Sequence, residues 1–137
     1  MIEPSTPLRS LTGISLVDGN PALRRARQIL LLSERYEVRS YATCAALVAD
    51  PASRGFACII IDISDHHHDG HDEDGVQALR AMRASGWRGN AILLDGHEPS
   101  QALIDVARRH GDRLLDRMTG DGPLLAVVAE TGAIRVE

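Results

Sequence analysis

The fold is decided by a short apolar run that ends on an acid, Phe56-Ala57-Cys58-Ile59-Ile60-Ile61-Asp62. The run is rich in β-branched residues and contains no turn residue, which is typical of a strand buried on both faces in a parallel α/β sheet. Asp62 follows at the point where the strand passes into a loop. Because open α/β folds bind ligands in the crevice outside the carboxyl ends of their strands, Asp62 is the first candidate site residue.

Two other apolar strands also end on an acid. Residues 14–17 precede Asp18, and residues 91–94 precede Asp95. Five strands alternate with five helical segments along the chain, which predicts a flavodoxin-like, doubly wound parallel sheet with helices on both faces. In the strand order 2-1-3-4-5, strands one, three and four are neighbours. We therefore expect Asp18, Asp62 and Asp95 to converge at one edge of the sheet.

Length and composition predict one ordinary globular domain. The chain has 137 residues, of which 44% are hydrophobic and 25% charged, and most domains are about 100 to 150 residues long. We expect a flexible leader over residues 1–13, a single domain over 14–130 and a C-terminal tail over 131–137. Cys44 and Cys58 stand apart in the sequence and are interpreted as small buried hydrophobes rather than reactive thiols.

Charge and hydropathy disfavour two classes of partner. The formal net charge is -4, and no basic stripe or aromatic ladder accompanies it, which argues against nucleic-acid binding. No apolar run approaches the roughly 20 residues needed to span a bilayer, and no signal pattern opens the chain. These observations predict a cytoplasmic protein that binds neither nucleic acid nor membrane.

From residue 14 to about residue 130 the chain resembles the receiver domain of two-component response regulators. The resemblance rests on residues 16–25, which are similar to the family's acidic first loop, and on residues 59–62, which are similar to its phosphoacceptor strand. It implies that Asp62 is at the phosphoacceptor position and that Asp18 belongs to a divalent-cation site. It also implies partners of the histidine kinase or phosphotransfer class.

The chain departs from the family pattern at five positions. Gly19 stands where the family has a second metal-binding acid, and Asp95 stands where it has a Ser or Thr hydroxyl. Arg117 replaces the usual Lys and is followed by Met118 instead of Pro. Leu114 replaces the aromatic residue of strand five. The resemblance is therefore to an atypical, degenerate receiver domain.

These departures predict a weakened site. Mg²⁺ favours oxygen ligands with one or two carboxylates, so Asp18, Asp62 and the Ser64 carbonyl form a weak candidate magnesium site. The carboxylate of Asp95 repels a phosphoryl group, which disfavours phosphorylation. Arg117 either offsets this repulsion or pairs permanently with Asp95 or Asp62, in which case a fixed ion pair replaces the switch.

The loop after Asp62 is unusually rich in titratable side chains, since nine of the ten residues from Asp65 to Asp74 are Asp, Glu or His. One interpretation is a Zn²⁺ or Ni²⁺ site. The other is a mobile, solvated loop with no specific ion. The candidate metal ligands are the four imidazoles of His66, His67, His68 and His71.

The same loop contains two Asp-Gly pairs. In the family such a pair follows the acceptor by seven residues, a spacing that Asp69-Gly70 has. The helical pattern fits better after Asp74-Gly75. We therefore predict an insertion of about five residues and a third helix that begins after Asp74-Gly75.

Three functions are weighed on these observations. The first is a stand-alone, non-enzymatic receiver domain in phosphorelay signalling, which binds partners or a second copy through the face made by helix four, strand five and helix five. The second is a metal- or pH-responsive binding module governed by the loop of residues 65–74. The third, a small flavodoxin-like enzyme, has no support from a phosphate-binding glycine loop or from a paired nucleophile and base.

Overall fold

The computed structural model describes residues 11–63, 71–95 and 99–136, and for residues 71–73 the backbone alone. Five parallel strands form one sheet in the order β2-β1-β3-β4-β5, which confirms the predicted doubly wound topology. The strands are β1 (Ile14–Val17), β2 (Val38–Tyr41), β3 (Cys58–Asp62), β4 (Asn90–Asp95) and β5 (Arg113–Asp116).

The central strand β3 fixes the register of the sheet. Its Ile61 pairs with Val17 of β1 on one side and with Leu93 of β4 on the other. All three strands run in the same direction, so their carboxyl ends lie side by side at one edge.

Within the described residues, four α-helices and one 3-10 helix connect the strands, and a fifth α-helix follows β5. Asn20 accepts hydrogen bonds from the first turn of α1, and Pro21 opens that helix. Thr43 and Ser100 cap the second and fourth helices in the same way. The helices are α1 (Pro21–Ser33), α2 (Cys44–Ala49), the 3-10 helix (Pro51–Gly55), α3 (His71–Ala84), α4 (Gln101–His110) and α5 (Asp121–Glu130).

The predicted start of α3 was wrong. The helix begins at His71, so Asp74 and Gly75 lie within it instead of preceding it. Packing explains the glycine, because a Cβ atom at Gly75 would lie 3.1 Å from Cγ2 of Ile63. A small residue at this point lets the helix approach the end of β3.

The core has two aliphatic layers, one on each face of the sheet. Alternate residues of β3 point to opposite layers, with Ile59 and Ile61 in one and Cys58 and Ile60 in the other. Helices α2, α3 and α4 cover the first layer, and α1 and α5 cover the second. Within the described ranges no helix combines the length and apolar character needed to cross a membrane.

The segment predicted as a C-terminal tail contacts the domain. Tyr36, just before β2, forms an isolated antiparallel bridge with Arg135. The Arg135 guanidinium lies 5.3 Å from the centre of the Tyr36 ring. Ile134 donates a backbone hydrogen bond of 3.0 Å to the carbonyl of Thr12, which joins the two ends of the described chain.

Candidate functional site

Three acids lie at the carboxyl edge of the sheet. Asp18 follows β1 directly, while Asp62 and Asp95 are the last residues of β3 and β4. All three are withdrawn from solvent: the side chains of Asp18 and Asp62 are 4% exposed, and Asp95 is 7% exposed. Buried carboxylates need cations or hydrogen-bond donors, so the neighbouring groups decide what this edge can do.

The main donor is Arg27, which lies two turns into α1. Its Nη1 atom donates to Oδ2 of Asp18 and to Oδ2 of Asp62, at 2.6 Å in each case. One guanidinium nitrogen carries two N–H groups, so a single atom bridges the ends of two strands. The Arg27 side chain is itself 12% exposed.

Arg27 is not among the site residues predicted from the sequence. The spacing of Arg24 and Arg27 carried the available signal, because residues three apart lie on the same helix face. Arg24 also reaches the acidic edge, where its Nη1 donates to the backbone carbonyl of Asp18 at 2.8 Å.

Burial raises the pKa of Asp18 above its ordinary value, and the neighbouring charge of Asp62 acts in the same direction. A hydrogen bond from the backbone N–H of Asn20 and the charges of Arg27 and Arg117 lower the pKa without cancelling the effect of burial. Both Asp18 oxygens have donors within the chain, Oδ1 from Asn20 at 2.9 Å and Oδ2 from Arg27.

Arg117 follows β5 and is the second cation at this edge. Its Nη2 lies 3.8 Å from Oδ2 of Asp62, an ion pair longer than a hydrogen bond. Its backbone N–H donates to the carbonyl of Asp95 at 3.0 Å. The predicted alternatives for this side chain were Asp95 and Asp62, and the structure brings it to Asp62.

The crevice beside Asp62 is small. A cavity of about 150 Å³ borders Asp62 on the side of α2 and is lined by Gly19, Thr43 and Asp74, among others. Gly19 contributes no carboxylate to it, as expected from the sequence.

The residues at this edge do not fit a magnesium ion in their present arrangement. Mg²⁺ needs ligand oxygens at about 2.0–2.1 Å in near-octahedral geometry, and Nη1 of Arg27 already lies between the two candidate carboxylates. Among the described residues no group of three or more His, Cys, Asp or Glu side chains is placed to hold a metal ion. The third predicted ligand, Ser64, lies outside the described residues.

The histidine loop also lies outside the described residues. His66, His67 and His68 belong to the segment 64–70, and His71 is described only as the first backbone position of α3. The Zn²⁺ or Ni²⁺ interpretation therefore stays a prediction from the sequence.

Comparison with known proteins places the fold. No protein-family model and no curated protein matches the chain. Solved structures do match it. The CheY-like response regulator receiver domain protein of Methanospirillum hungatei JF-1 is 21% identical with a TM-score of 0.68, over 88% of this chain and 93% of that one.

Two further structures agree. Chemotaxis protein CheY4 of Vibrio cholerae is 18% identical with a TM-score of 0.71, over 89% of this chain and 99% of that one. The signal receiver domain of an HD domain-containing protein of Pseudomonas fluorescens Pf-5 is 23% identical with a TM-score of 0.70, over 88% and 93%. The chain therefore has the fold of response regulator receiver domains.

Proposed function

We propose that this chain is an atypical receiver domain in phosphorelay signal transduction and acts by protein–protein contact, with phosphorylation at Asp62 weak or lost. The observation that carries the proposal is the position of Asp62. It ends β3, the central strand of the sheet, where the resemblance to receiver domains puts the phosphoacceptor, and its Oδ2 is hydrogen-bonded to Arg27 at 2.6 Å.

The hydrogen bond to Arg27 weakens Asp62 as a nucleophile. A carboxylate oxygen must offer a lone pair to phosphorus, and a charge-assisted hydrogen bond to a guanidinium stabilises the unreacted carboxylate. Because Arg is always charged, the hydrogen bond is not relieved by deprotonation near neutral pH. Transfer to Asp62 then has to break a contact that the resting pocket makes.

Asp95 adds a second obstacle. A phosphoryl group brings close to two negative charges, and Asp95 ends the strand next to that of Asp62. Two unit charges about 4 Å apart repel by about 4 kcal/mol at an effective dielectric constant near 20. The hydroxyl that the receiver family has at this position would donate a hydrogen bond instead.

The proposed contact surface is the face made by α4, β5 and α5. β5 is an edge strand of the sheet. Met118 lies two residues after the end of β5 and is 83% exposed. Arg113 and Glu130 form an ion pair on the same face. An exposed methionine beside charged residues suits an adaptable protein contact, with a histidine kinase, a phosphotransfer protein or a second copy of the chain.

The phosphorylation part is tested with acetyl phosphate and Mg²⁺, followed by intact mass. We expect wild type to label at least about tenfold more slowly than an ordinary receiver domain treated in parallel, the equivalent of about 1.4 kcal/mol in the barrier. Asp95→Thr, which restores a hydroxyl, should label faster than wild type. Asp62→Asn is the control for the position of the adduct. Stoichiometric labelling of wild type at Asp62 at the rate of the ordinary domain would contradict the proposal.

The contact surface is tested by sedimentation over a range of concentrations. We expect Met118→Glu to weaken self-association relative to wild type, because a carboxylate replaces an exposed apolar side chain in the turn between β5 and α5. Ala22→Glu, on the exposed start of α1, is the matched control and should associate as wild type does. Equal association of all three proteins would exclude a dimer through this face.

A further inference from the structure

The cation at the acidic edge comes from the chain itself. Nη1 of Arg27 lies within 2.6 Å of one oxygen of each carboxylate, and Asp18 and Asp62 are each 4% exposed. We propose that Arg27 is the built-in counter-ion of this pocket: it takes the place between Asp18 and Asp62 where a divalent cation would bind, and makes the folded pocket independent of divalent cations. This inference rests on the proposed function only in treating the acidic edge as the site of a receiver domain.

Arg27 and a divalent cation exclude each other on steric grounds. An ion bonded to both Oδ2 atoms would lie at about 2.0–2.6 Å from each, according to its size, which is the distance at which Nη1 already lies from them. The two positions overlap. The permanent positive charge of the guanidinium also repels an incoming cation, so binding requires Arg27 to leave the pocket.

The surroundings hold Arg27 in place. Its helix is anchored at the start by the Asn20 cap, and Arg24, one turn earlier, donates to the Asp18 carbonyl at 2.8 Å. The opposite oxygen of Asp18 accepts from the backbone of Asn20 at 2.9 Å. The turn after β1 and the start of α1 therefore form one hydrogen-bonded unit around the Asp18 carboxylate.

The residues at this edge offer a divalent cation few side-chain oxygen ligands. Gly19 supplies no side-chain oxygen where a second acid of the first loop would stand. Displacing Arg27 would exchange two charge-assisted hydrogen bonds for two metal–carboxylate bonds and leave the guanidinium to find another partner. Removing Arg27, in contrast, would leave two nearly buried carboxylates without the cation that bridges them, since Nη2 of Arg117 lies 3.8 Å from Asp62, beyond hydrogen-bond distance.

The proposal predicts that deleting Arg27 creates a cation site. We expect Arg27→Ala to gain roughly 3–6 °C in Tm when millimolar MgCl₂ or MnCl₂ replaces EDTA at constant ionic strength. Wild type should gain nothing. Arg25→Ala removes the same charge from an exposed position of the same helix and should also gain nothing. Calorimetry with MnCl₂ should show one saturable site in Arg27→Ala and none in the other two proteins.

The carboxylate pair is tested in the double variant. Arg27→Ala combined with Asp18→Asn should lose the cation-dependent gain, which ties the ion to these side chains. If Arg27→Ala fails to fold in EDTA, recovery of its circular dichroism on addition of MnCl₂ supports the proposal. Arg27→Gln, which keeps a neutral donor of similar shape, should show the same site with weaker affinity.

Two results would overturn the inference. One is a saturable manganese site in wild type that Asp18→Asn removes. The other is folded Arg27→Ala, or Arg27→Gln if the alanine variant does not fold, with no cation-dependent change in Tm or heat. None of these measurements uses a phosphodonor, so efficient labelling of wild type by acetyl phosphate would contradict the proposed function and leave the cation result to be judged separately.

Discussion

Among the described residues, arginines and aspartates cluster at both ends of the sheet, and the cluster at the amino end is built differently from the one at the carboxyl end. At the amino end Arg83 and Asp112 form two parallel hydrogen bonds of 2.8 Å each. At the carboxyl end one nitrogen of Arg27 serves both Asp18 and Asp62. The first is a matched pair of one cation and one acid, and the second is a cation shared between acids.

The surroundings of the amino-end pair complete its hydrogen bonds. The Asp112 side chain is 0% exposed, and its Oδ1 also accepts from the backbone of Ala91 at 2.8 Å. The Arg83 guanidinium lies 5.0 Å from the centre of the Trp87 ring, and Trp87 donates to the Phe56 carbonyl at 2.6 Å. Every partner is satisfied within the fold. This arrangement serves stability, whereas at the carboxyl end one cation is shared between two acids.

The largest expected effect is at the matched pair. Arg83→Met keeps a long apolar side chain over Trp87 and removes the cation, so Asp112 becomes an uncompensated buried charge. We expect a loss of about 3–5 kcal/mol in the free energy of unfolding, measured by urea denaturation with circular dichroism. Arg80→Met, on an exposed position one turn earlier in α3, should change it by less than about 0.5 kcal/mol. Similar losses in both variants would contradict the contrast.

The next effect tests the charge of Asp112. Asp112→Asn keeps an acceptor for the Ala91 N–H but replaces a charge-assisted, two-fold hydrogen bond to Arg83 with a neutral one. We expect a loss of about 1.5–3 kcal/mol in unfolding free energy, the range for hydrogen bonds to charged groups. Asp105→Asn, on an exposed position of α4, is the control for removing a carboxylate. An Asp112→Asn protein as stable as wild type would show that the matched pair contributes little.

The corresponding substitution at the carboxyl end of the sheet, Asp18→Asn, should raise the free energy of unfolding instead of lowering it. Burial raises the pKa of Asp18 from 3.8, so the folded chain holds this proton more tightly than the unfolded chain. That contribution favours folding below the unfolded pKa and is lost as the pH rises through the folded pKa. Asp18→Asn removes the cost of burying this charge at higher pH, because the amide is neutral, and it keeps an acceptor for the N–H of Asn20.

We therefore expect Asp18→Asn to unfold at a higher urea concentration than wild type at pH 7. The difference in urea midpoint between the two proteins should narrow as the pH is lowered, because protonation of Asp18 removes the cost of burying its charge in wild type. Urea curves at several pH values measure it, and Asp112→Asn at the same pH values is the matched comparison. A destabilised Asp18→Asn at pH 7 would mean that the ion pair with Arg27 outweighs the cost of burial.

The clusters at the two ends of the sheet also differ in how many of their residues can be predicted from the sequence. The apolar run of β3 and its terminal Asp62 predicted the strand, the sheet and the edge to which Asp18 and Asp95 come, because burial on both faces leaves a pattern of adjacent residues. Arg27 left no such pattern, since its contact with Asp62 joins residues 35 apart. The Arg83–Asp112 pair, which joins residues 29 apart, was equally invisible.

A local sequence signal gave the wrong start for α3. Asp74-Gly75 resembled a helix start because glycine commonly marks a boundary, yet Gly75 serves close packing against Ile63 inside α3. Whether a glycine ends a helix or admits a neighbour depends on a tertiary contact. That contact is fixed by how α3 lies on β3, which no stretch of adjacent residues encodes.

The smallest expected effect is a difference in alkylation rate between two thiols, one near each end of the sheet. Burial raises the pKa of Cys58, in β3, to about 12, and burial followed by the charge of Asp74 raises the pKa of Cys44 to about 11. Both thiols are protonated at pH 8, so native protein should react slowly with iodoacetamide. Cys44 lines the cavity beside Asp62 and is partly exposed. Intact mass should show Cys44 modified first and Cys58 only on unfolding in urea, with Cys44→Ser as the control. Equal rates for both thiols in the native protein would mean that the amino end of β3 opens as readily as the crevice beside Asp62. That result would contradict the completed hydrogen bonding described for the amino end of the sheet.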